Sequence, residues 1–478
     1  MEEIVKNFGL DSLSSSEVSR ICKILDERVE EFLKKANREQ DPLSLRECKF
    51  ATKTRSVEMT ASQYAKGLLL QQGRGNMSKY ANNVLGARAR RFQYFISESP
   101  WEYRPMIAQI QRDLMRHIGD ARHGAIHIDE TGFPKQGDNS VGVKRQYCGR
   151  LGKVDNCQVA VCLGYTNGSL RTLIDAELYV PEDWANDQSR REECGIPEDL
   201  KFKTKAEIAL ELIRGARSNG VQFGWVGMDT FYGRQTSLLN AIDADGIVYM
   251  ADIPSDTRVW LNPPKVGIPE RKSNRGRIPT EPRVLDNEPS PAEVRAIKNE
   301  LDPSQWVHTF VRDTERRELW SRIACLRIYE VEDKLPGKEQ WLIIRVDDSD
   351  GTTKYQLSNA PLDTTIDRFA QMSCSSYWIE RAFEDGKGLA GFADFQGRSW
   401  MGWHHHITMA LFSMMVMMFL CIELGQSADL LTVQDIKDIY EKSFAREKFS
   451  NKEVLHLLKK KHKARESARI SHHRANSH

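Results

Sequence analysis

The chain has 478 residues, 69 Lys and Arg against 67 Asp and Glu for a formal charge of +2, and a hydrophobic share of 40%. That balance excludes global disorder and collagen-like or coiled-coil architecture, allows two to four domains at roughly 100–200 residues each, and requires any polyanion binding to come from local patches. Nine cysteines are scattered with no CxxC pair, so neither a structural zinc site nor a disulfide framework is expected, and a reducing cytosol is the natural compartment.

The first residues, MEEIVKNFGLDSL, contain no apolar run, and no secretory signal is expected. Residues 1–120 read as helical. Val18, Ile21, Ile24, Leu25 and Val29 recur at helical spacing over 14–36, and further helices are predicted over Ser62–Leu70 and Pro105–Ile118. Within this region, 49–91 carries nine Lys and Arg against the single acid Glu58. Such a stripe is either a solvated helical face or a phosphate-contacting surface.

From Gly124 the period changes to that of strands: GAIHIDE ending in acids, then CQVAVCLGY (157–165) and SLRTLIDAELYV (169–180). An amphipathic helix over 203–220 follows, and then the buried strand FGWVGMD (223–229), again ending in an acid. Residues 254–291 hold eight of the 17 prolines, with Arg271, Lys272, Arg275, Arg277 and Arg283 among their basic residues, and read as a loop connection. Strands at 306–312, 323–332 and 339–348 suggest a small β-rich insertion before helices at 364–389. The Met-rich run Ile407–Leu424 is at the lower length limit for a membrane span, but it follows His404, His405 and His406 and contains Glu423. A buried core helix is therefore favoured, with Trp400 and Trp403 beside it. The three adjacent histidines cannot chelate one ion, because successive helical residues point about 100° apart. One of them could still face a phosphate; core or surface packing is the simpler expectation. The tail 446–478 is basic, with ten Lys and Arg against three acids.

Three acids stand where side chains from distant segments can meet: Asp129 and Asp229 at the ends of the first and fourth strands, and Glu380 on a late helix. That order matches a ribonuclease H-like fold. Converging carboxylates repel unless cations are bound, and all-oxygen ligands suit Mg²⁺ or Mn²⁺. Two such ions about 3.5–4 Å apart support in-line phosphoryl displacement. Two ambiguities stay open. Glu130 adjoins Asp129, and only one of the two can enter a site on one sheet face. Glu384 is one helical turn from Glu380 and either rivals it or pairs with Lys387.

The segments HIDETGFPKQG (127–137), VGVKRQYCGRLGKVDNCQVAV (141–161), VGMDTFYG (226–233), YWIERAFEDGKG (377–388) and GRSWMGWHHH (397–406) resemble the DDE-type transposases of bacterial insertion sequences. Among these the likeness is to the seven-zero-one-like group, a relative of the IS-four group, and it extends from about 60 to 420. The resemblance implies a ribonuclease H-like catalytic domain with an inserted β-rich subdomain, preceded by a helical N-terminal domain. On that reading 1–120 is a helical DNA-binding domain, 121–250 and 361–440 are the two parts of the catalytic domain, 251–360 is the Pro-rich loop and β-rich insertion, and 441–478 is a basic tail.

It further implies Asp129, Asp229 and Glu380 as catalytic metal ligands, holding two Mg²⁺ (or Mn²⁺) ions per active site. The IS-four Tyr-x2-Arg-x3-Glu-x6-Lys signature, set on Glu380, puts Lys387 at its Lys but Ser373 and Ser376 at its Tyr and Arg. Neighbouring Tyr377, Trp378 and Arg381 are the candidates to substitute. Lys53, Arg55, Arg74, Lys79, Arg88, Arg90, Arg91, Lys135, Lys144, Arg145, Arg271, Lys272, Arg275, Arg277 and Arg381 are the expected DNA contacts. The implied activity is Mg²⁺-dependent cut-and-paste transposition, in which insertion-sequence ends are cleaved and the 3′ ends joined to target DNA. The partners are double-stranded DNA (terminal inverted repeats and target) and a second copy of the chain when two ends are paired. No membrane is involved, and the location is cytoplasmic, on the nucleoid when DNA is bound. The competing functions are a transposase-derived DNA-binding regulator without cleavage and a structure-selective nuclease of the same fold.

Overall fold

The computed structural model describes residues 55–84, 86–269, 280–313, 318–374 and 376–425, with 433, 434 and 437. The expected helix at 14–36 and the basic tail 446–478 lie outside the described residues. The chain divides into two compact units, one running to Phe223 and resuming at Tyr377, the other running Gly224–Ser376.

The described part of the first unit opens with four helices: α1 (Arg55–Leu70), α2 (Met77–Asn83), α3 (Ala89–Ser97) and α4 (Tyr103–Ile118). α1 buries Ala61, Tyr64, Ala65 and Leu68, the stripe that a 3.6-residue period makes. The Tyr64 ring meets Tyr80 and Phe92 edge-on at 5.7 and 5.2 Å. Gly67 is required where α2 crosses, because a Cβ there would stand 2.8 Å from that of Tyr80. Asn76 caps α2 by accepting the Lys79 amide at 2.9 Å.

Four strands follow: β1 (Ala125–Pro134), β2 (Lys144–Cys148), β3 (Lys153–Asn167) and β4 (Leu170–Leu178). All pair antiparallel through the long β3. Helix α5 (Lys205–Ser218) starts at a reciprocal capping box, Thr204 with Glu207. Two expectations are corrected here. β2 adds a strand that the sequence pattern does not announce, because KRQYC is mostly exposed and shows no apolar alternation. β1 also does not end at its acids: the ladder with β3 runs from Ala125↔Thr166 through Asp129↔Cys162 to Pro134↔Cys157. Backbone hydrogen bonds, indifferent to side-chain polarity, carry the strand past Asp129 and Glu130, so Asp129 sits in mid-strand.

The second unit begins with β5 (Trp225–Met228), all four residues buried, and then α6 (Thr230–Gly233) and α7 (Thr236–Ala244). β6 (Tyr249–Ile253) runs parallel to β5. Short strands β7 (Arg258–Trp260), β8 (Val266–Gly267), β9 (Arg283–Val284) and β10 (Ala292–Glu293) lead to α8 (Val294–Glu300). The described part of the Pro-rich stretch is thus not loop alone: β8 pairs with β9, and β10 with β7. Prolines flank these two- and three-residue strands, where no ladder bond is lost.

Strands β11 (Val307–Asp313), β12 (Glu318–Glu332), β13 (Leu335–Asp347) and β14 (Thr353–Ser358) then extend the sheet antiparallel from β6 in the order β6–β14–β13–β12–β7–β10, with β11 on β12. Asp333 and Lys334 both take positive φ (48° and 68°) in the two-residue β12–β13 turn, as the twist of a tight hairpin demands. Helix α9 (Ile366–Cys374) is tied to β13 by Arg345, whose guanidinium donates to the Ser373 carbonyl at 2.8 Å.

The first unit resumes in α10 (Ser376–Leu389), and α11 (Trp400–Gly425) follows it. α11 is apolar on all sides and buried from Gly402 to Phe419. The core-helix expectation holds, with Trp400 and Trp403 buried at its start. Among the described residues no helix is long and apolar enough to cross a membrane.

Candidate active site

Alternation along β1 sends Asp129 and Glu130 to opposite faces, and each finds different company. Glu130 makes an ion pair with Lys205 of α5 at 2.6 Å, with both side chains mostly buried. Asp129 is half-buried, and its Oδ1 accepts the Glu130 amide at 2.6 Å. Its cross-strand partner Cys162 shares a face with Gly164, and Gly164 is where α10 comes down. A Cβ at Gly164 would lie 3.2 Å from Ile379, so the missing side chain sets how near α10 approaches the strand. Two turns further along the same buried stripe, Gly386 admits Met414 of α11, whose sulfur would be 3.0 Å from an added Cβ.

With Ile379, Ala382 and Phe383 turned inward, Lys387 lies half-buried at the edge of the same stripe, its ammonium 5.0 Å from the centre of the Phe383 ring. Burial lowers the Lys387 pKa, and Arg150 acts the same way, while Cys162 and Asp129 oppose them. Asp129 and Lys387 are therefore within electrostatic reach of one another. Glu380 is exposed and has no partner among the described residues. Glu384 does not pair with Lys387. It pairs with Arg381 at 2.6 Å, one turn back on the same helix. Asp385 is held by Arg171 at 3.1 Å, and the Arg171 guanidinium also lies 5.2 Å from the Trp378 ring.

Asp229 stands directly after β5, as the pattern predicts, and its carboxylate caps α6. Oδ1 accepts the amides of Phe231 at 3.1 Å and Tyr232 at 3.2 Å. Gly233 is obligatory at the end of that turn, because a Cβ would stand 2.1 Å from the Asp252 carbonyl oxygen. Asp129 and Glu380 belong to the first unit and Asp229 to the second. Among the described residues, no group of three or more His, Cys, Asp or Glu side chains is gathered as a metal site. The donor chemistry of Asp129, Asp229 and Glu380 is all oxygen, and that suits a hard divalent cation.

The histidines of α11 take the packing role. The His406 ring accepts from the Tyr64 hydroxyl at 2.7 Å and donates to the Gly391 carbonyl at 2.8 Å. His405 lies between the carbonyls of Ile96 (2.9 Å) and Trp101 (2.8 Å) and stacks on the Trp101 ring at 3.8 Å. His404 meets Glu177 at 2.9 Å, and Glu177 in turn pairs with Arg104. All three are buried, and none faces a phosphate site at the surface.

Of the expected DNA contacts, Arg74, Lys79, Arg88, Arg90, Arg91, Lys144 and Arg145 are exposed. Lys144 is engaged by Asp183 at 2.8 Å. Lys135 turns inward, donating to the Phe395 carbonyl at 2.5 Å, and burial, helped by Arg74, lowers its pKa to about 8. Arg381 is half-exposed and shared with Glu384. Lys53, Arg271, Lys272, Arg275 and Arg277 lie outside the described residues, and Arg55 opens α1 without a described side chain. Sequence reasoning missed Lys205, Arg171 and Gly164. Only Gly164 left a signal, as a glycine inside an apolar strand run marks close approach by another element.

The fold and these residues define a mixed α/β protein with carboxylates at β1, after β5 and on α10. The chain belongs to the DDE superfamily endonucleases: the model of that family matches residues 47–318, a span that includes Asp129 and Asp229 but stops before Glu380. The chain is also similar to the probable transposase for insertion sequence element IS701 of Microchaete diplosiphon, with 33% identity over 172 residues. That match spans 36% of this chain and 42% of the relative.

Proposed function

We propose that this protein is a DNA transposase that cleaves insertion-sequence ends and joins the resulting 3′ ends to target DNA. Asp129, Asp229 and Glu380 are its metal-binding carboxylates, and the cofactor is Mg²⁺, with Mn²⁺ able to replace it. Bound there as a pair, the cations would acidify the attacking water and neutralise charge on the leaving oxygen. The observation that carries the reading is local to the first unit. Asp129 lies on the β1 face that α10 covers, and α10 carries an exposed Glu380, unpartnered among the described residues, together with the inward-leaning Lys387.

Each side chain has a separate duty on this reading. Glu130, neutralised by Lys205, is excluded from the site and holds β1 to α5. Asp229 is oriented by the amides it caps. Lys387 is placed to meet a backbone phosphate oxygen, whose negative charge would oppose the burial that depresses its pKa. Two element ends must be joined to one target, so the working form is a homodimer on paired ends, acting on nucleoid DNA in the cytoplasm.

The test uses purified full-length chain with Mg²⁺ and DNA carrying terminal inverted repeats. Nicking, release and joining should all occur, and all should vanish in Asp129→Asn and Asp229→Asn proteins that still bind DNA. Cleavage without joining would reduce the protein to a nuclease. Binding without cleavage by the unaltered chain would reduce it to a regulator.

A further inference from the structure

Two sets of described arginines contrast. Arg104, Arg171 and Arg191 are taken up by internal partners: Asp175 at 2.9 Å, Asp385 at 3.1 Å, and a set of backbone carbonyls that includes Ala185 at 3.0 Å and Leu200 at 2.9 Å. Arg88, Arg90 and Arg91 have exposed side chains with no ion pair or side-chain hydrogen bond among the described residues. These three line one cavity of about 410 Å³ between α1 and α3, with Val57, Thr60, Tyr94, Phe95 and Ser99 as the other walls. No acid stands among these described lining residues.

Tyr94 follows Arg90 and Arg91 by four and three residues on α3, hence on the same helix face. It is 54% exposed, and no ring or hydrogen-bond partner occupies it among the described residues. A large aromatic left open beside three unneutralised guanidiniums has no structural duty to explain it. Guanidiniums bind phosphate oxygens in forked pairs, and an open aromatic face stacks a nucleobase whatever its sequence. The volume lies within the range of about 300–1,000 Å³ of small-molecule sites, whereas a duplex keeps its bases stacked and shielded from such a pocket.

We propose that the α1–α3 pocket receives one unpaired nucleotide of a DNA strand, its flanking phosphates on Arg88, Arg90 and Arg91 and its base against Tyr94. The proposal rests on the reading of this chain as DNA-binding and goes beyond it in requiring a base outside the helix. Thr60 and Ser99 stand with Val57 and Phe95 in the rest of the lining, a mixture of polar and apolar residues that suits a base.

The experiment is fluorescence anisotropy with the full chain in EDTA, comparing a blunt duplex with the same duplex carrying a short single-stranded overhang. The overhang should bind more tightly. Tyr94→Ala should weaken overhang binding by about 5- to 100-fold, leave blunt-duplex binding unchanged, and be rescued by Tyr94→Phe, which keeps the stacking face. Arg90→Ala with Arg91→Ala should weaken both DNAs and lower the log–log salt slope by about 0.7–0.9 for each phosphate that is no longer neutralised. Equal affinity of the unaltered chain for the two DNAs, or a Tyr94→Ala loss shared equally by both, would overturn the pocket while leaving duplex binding intact. Free deoxynucleoside monophosphate competing as well as the overhang strand at equal nucleotide concentration would also overturn it. If the unaltered chain binds neither DNA, the transposase reading itself fails.

Discussion

Helices α10 and α11 are neighbours in the chain and pack in the same unit, yet they treat polar side chains in opposite ways. α11 buries His404, His405, His406, Thr408 and Ser413, and every one has a partner inside the protein. α10 buries Ile379, Ala382 and Phe383 but leaves Glu380 exposed and unpartnered among the described residues. A buried polar group without a partner costs the full desolvation penalty, so α11 must satisfy each of its own. A carboxylate in water carries no such obligation. Polar residues that hold the fold are thereby separated from those left available to a ligand, with the histidine triplet in the first class and Glu380 in the second.

The largest expected effect tests the second class. Glu380→Gln should reduce DNA cleavage on the order of 10³-fold or more in a gel assay with Mg²⁺, since on the proposed reading it removes an ion ligand where charge develops. Its unfolding free energy should stay within about 0.5 kcal/mol of wild type, as for other exposed sites. A destabilised Glu380→Gln chain would break the distinction.

The first class predicts the reverse. His406→Leu removes the acceptor for the buried Tyr64 hydroxyl and the donor to Gly391, and should cost about 2–4 kcal/mol in chemical denaturation. Cleavage per folded molecule should survive. Abolished cleavage at unchanged stability would move His406 into the site.

Acidification sharpens the same point. Burial lowers His127 to about 3 and His406 to about 4, both far below the ordinary value near 6.5. The unfolded chain therefore takes up protons between about pH 6.5 and 4 that the folded chain refuses. The contribution is fully present above pH 6.5 and falls away on acidification, at about 1.4 kcal/mol per pH unit for each histidine. His406→Gln should flatten the measured slope by about that amount, and an unchanged slope would show that this ring titrates freely in the folded protein.

The smallest effect is reserved for Glu384. Its one described partner is Arg381, in a surface pair, and exposed pairs are worth about 0–1 kcal/mol. Glu384→Gln should leave stability and cleavage within about twofold of wild type. A loss as large as that of Glu380→Gln would transfer the ligand role.

Much of the layout is legible in the sequence. The strands at 157–165 and 339–348, the helices at 105–118 and 203–220, and the burial of the Met-rich run all appear within a few residues of their expected bounds. Asp229 follows its strand because Met228 is the last of four buried residues and the Asp amide-capping geometry begins there. Asp129 could not be placed as well, because nothing in GAIHIDETGFP says how far β3 will continue to pair with it.

Periodicity, apolar runs and capping residues act over one or two turns, so the order of elements and the inward face of each were determined by the sequence itself. The choice between Glu130 and Asp129, between Glu384 and Glu380, and between paired and unpaired arginines depended on residues far away in the chain. Lys205 lies 75 positions from Glu130, and Gly164 receives Ile379 from more than 200 positions on. Only tertiary packing brings such groups within the few ångströms over which an ion pair forms or a missing Cβ matters, and so only the folded molecule decided which charges were spent internally and which were left exposed.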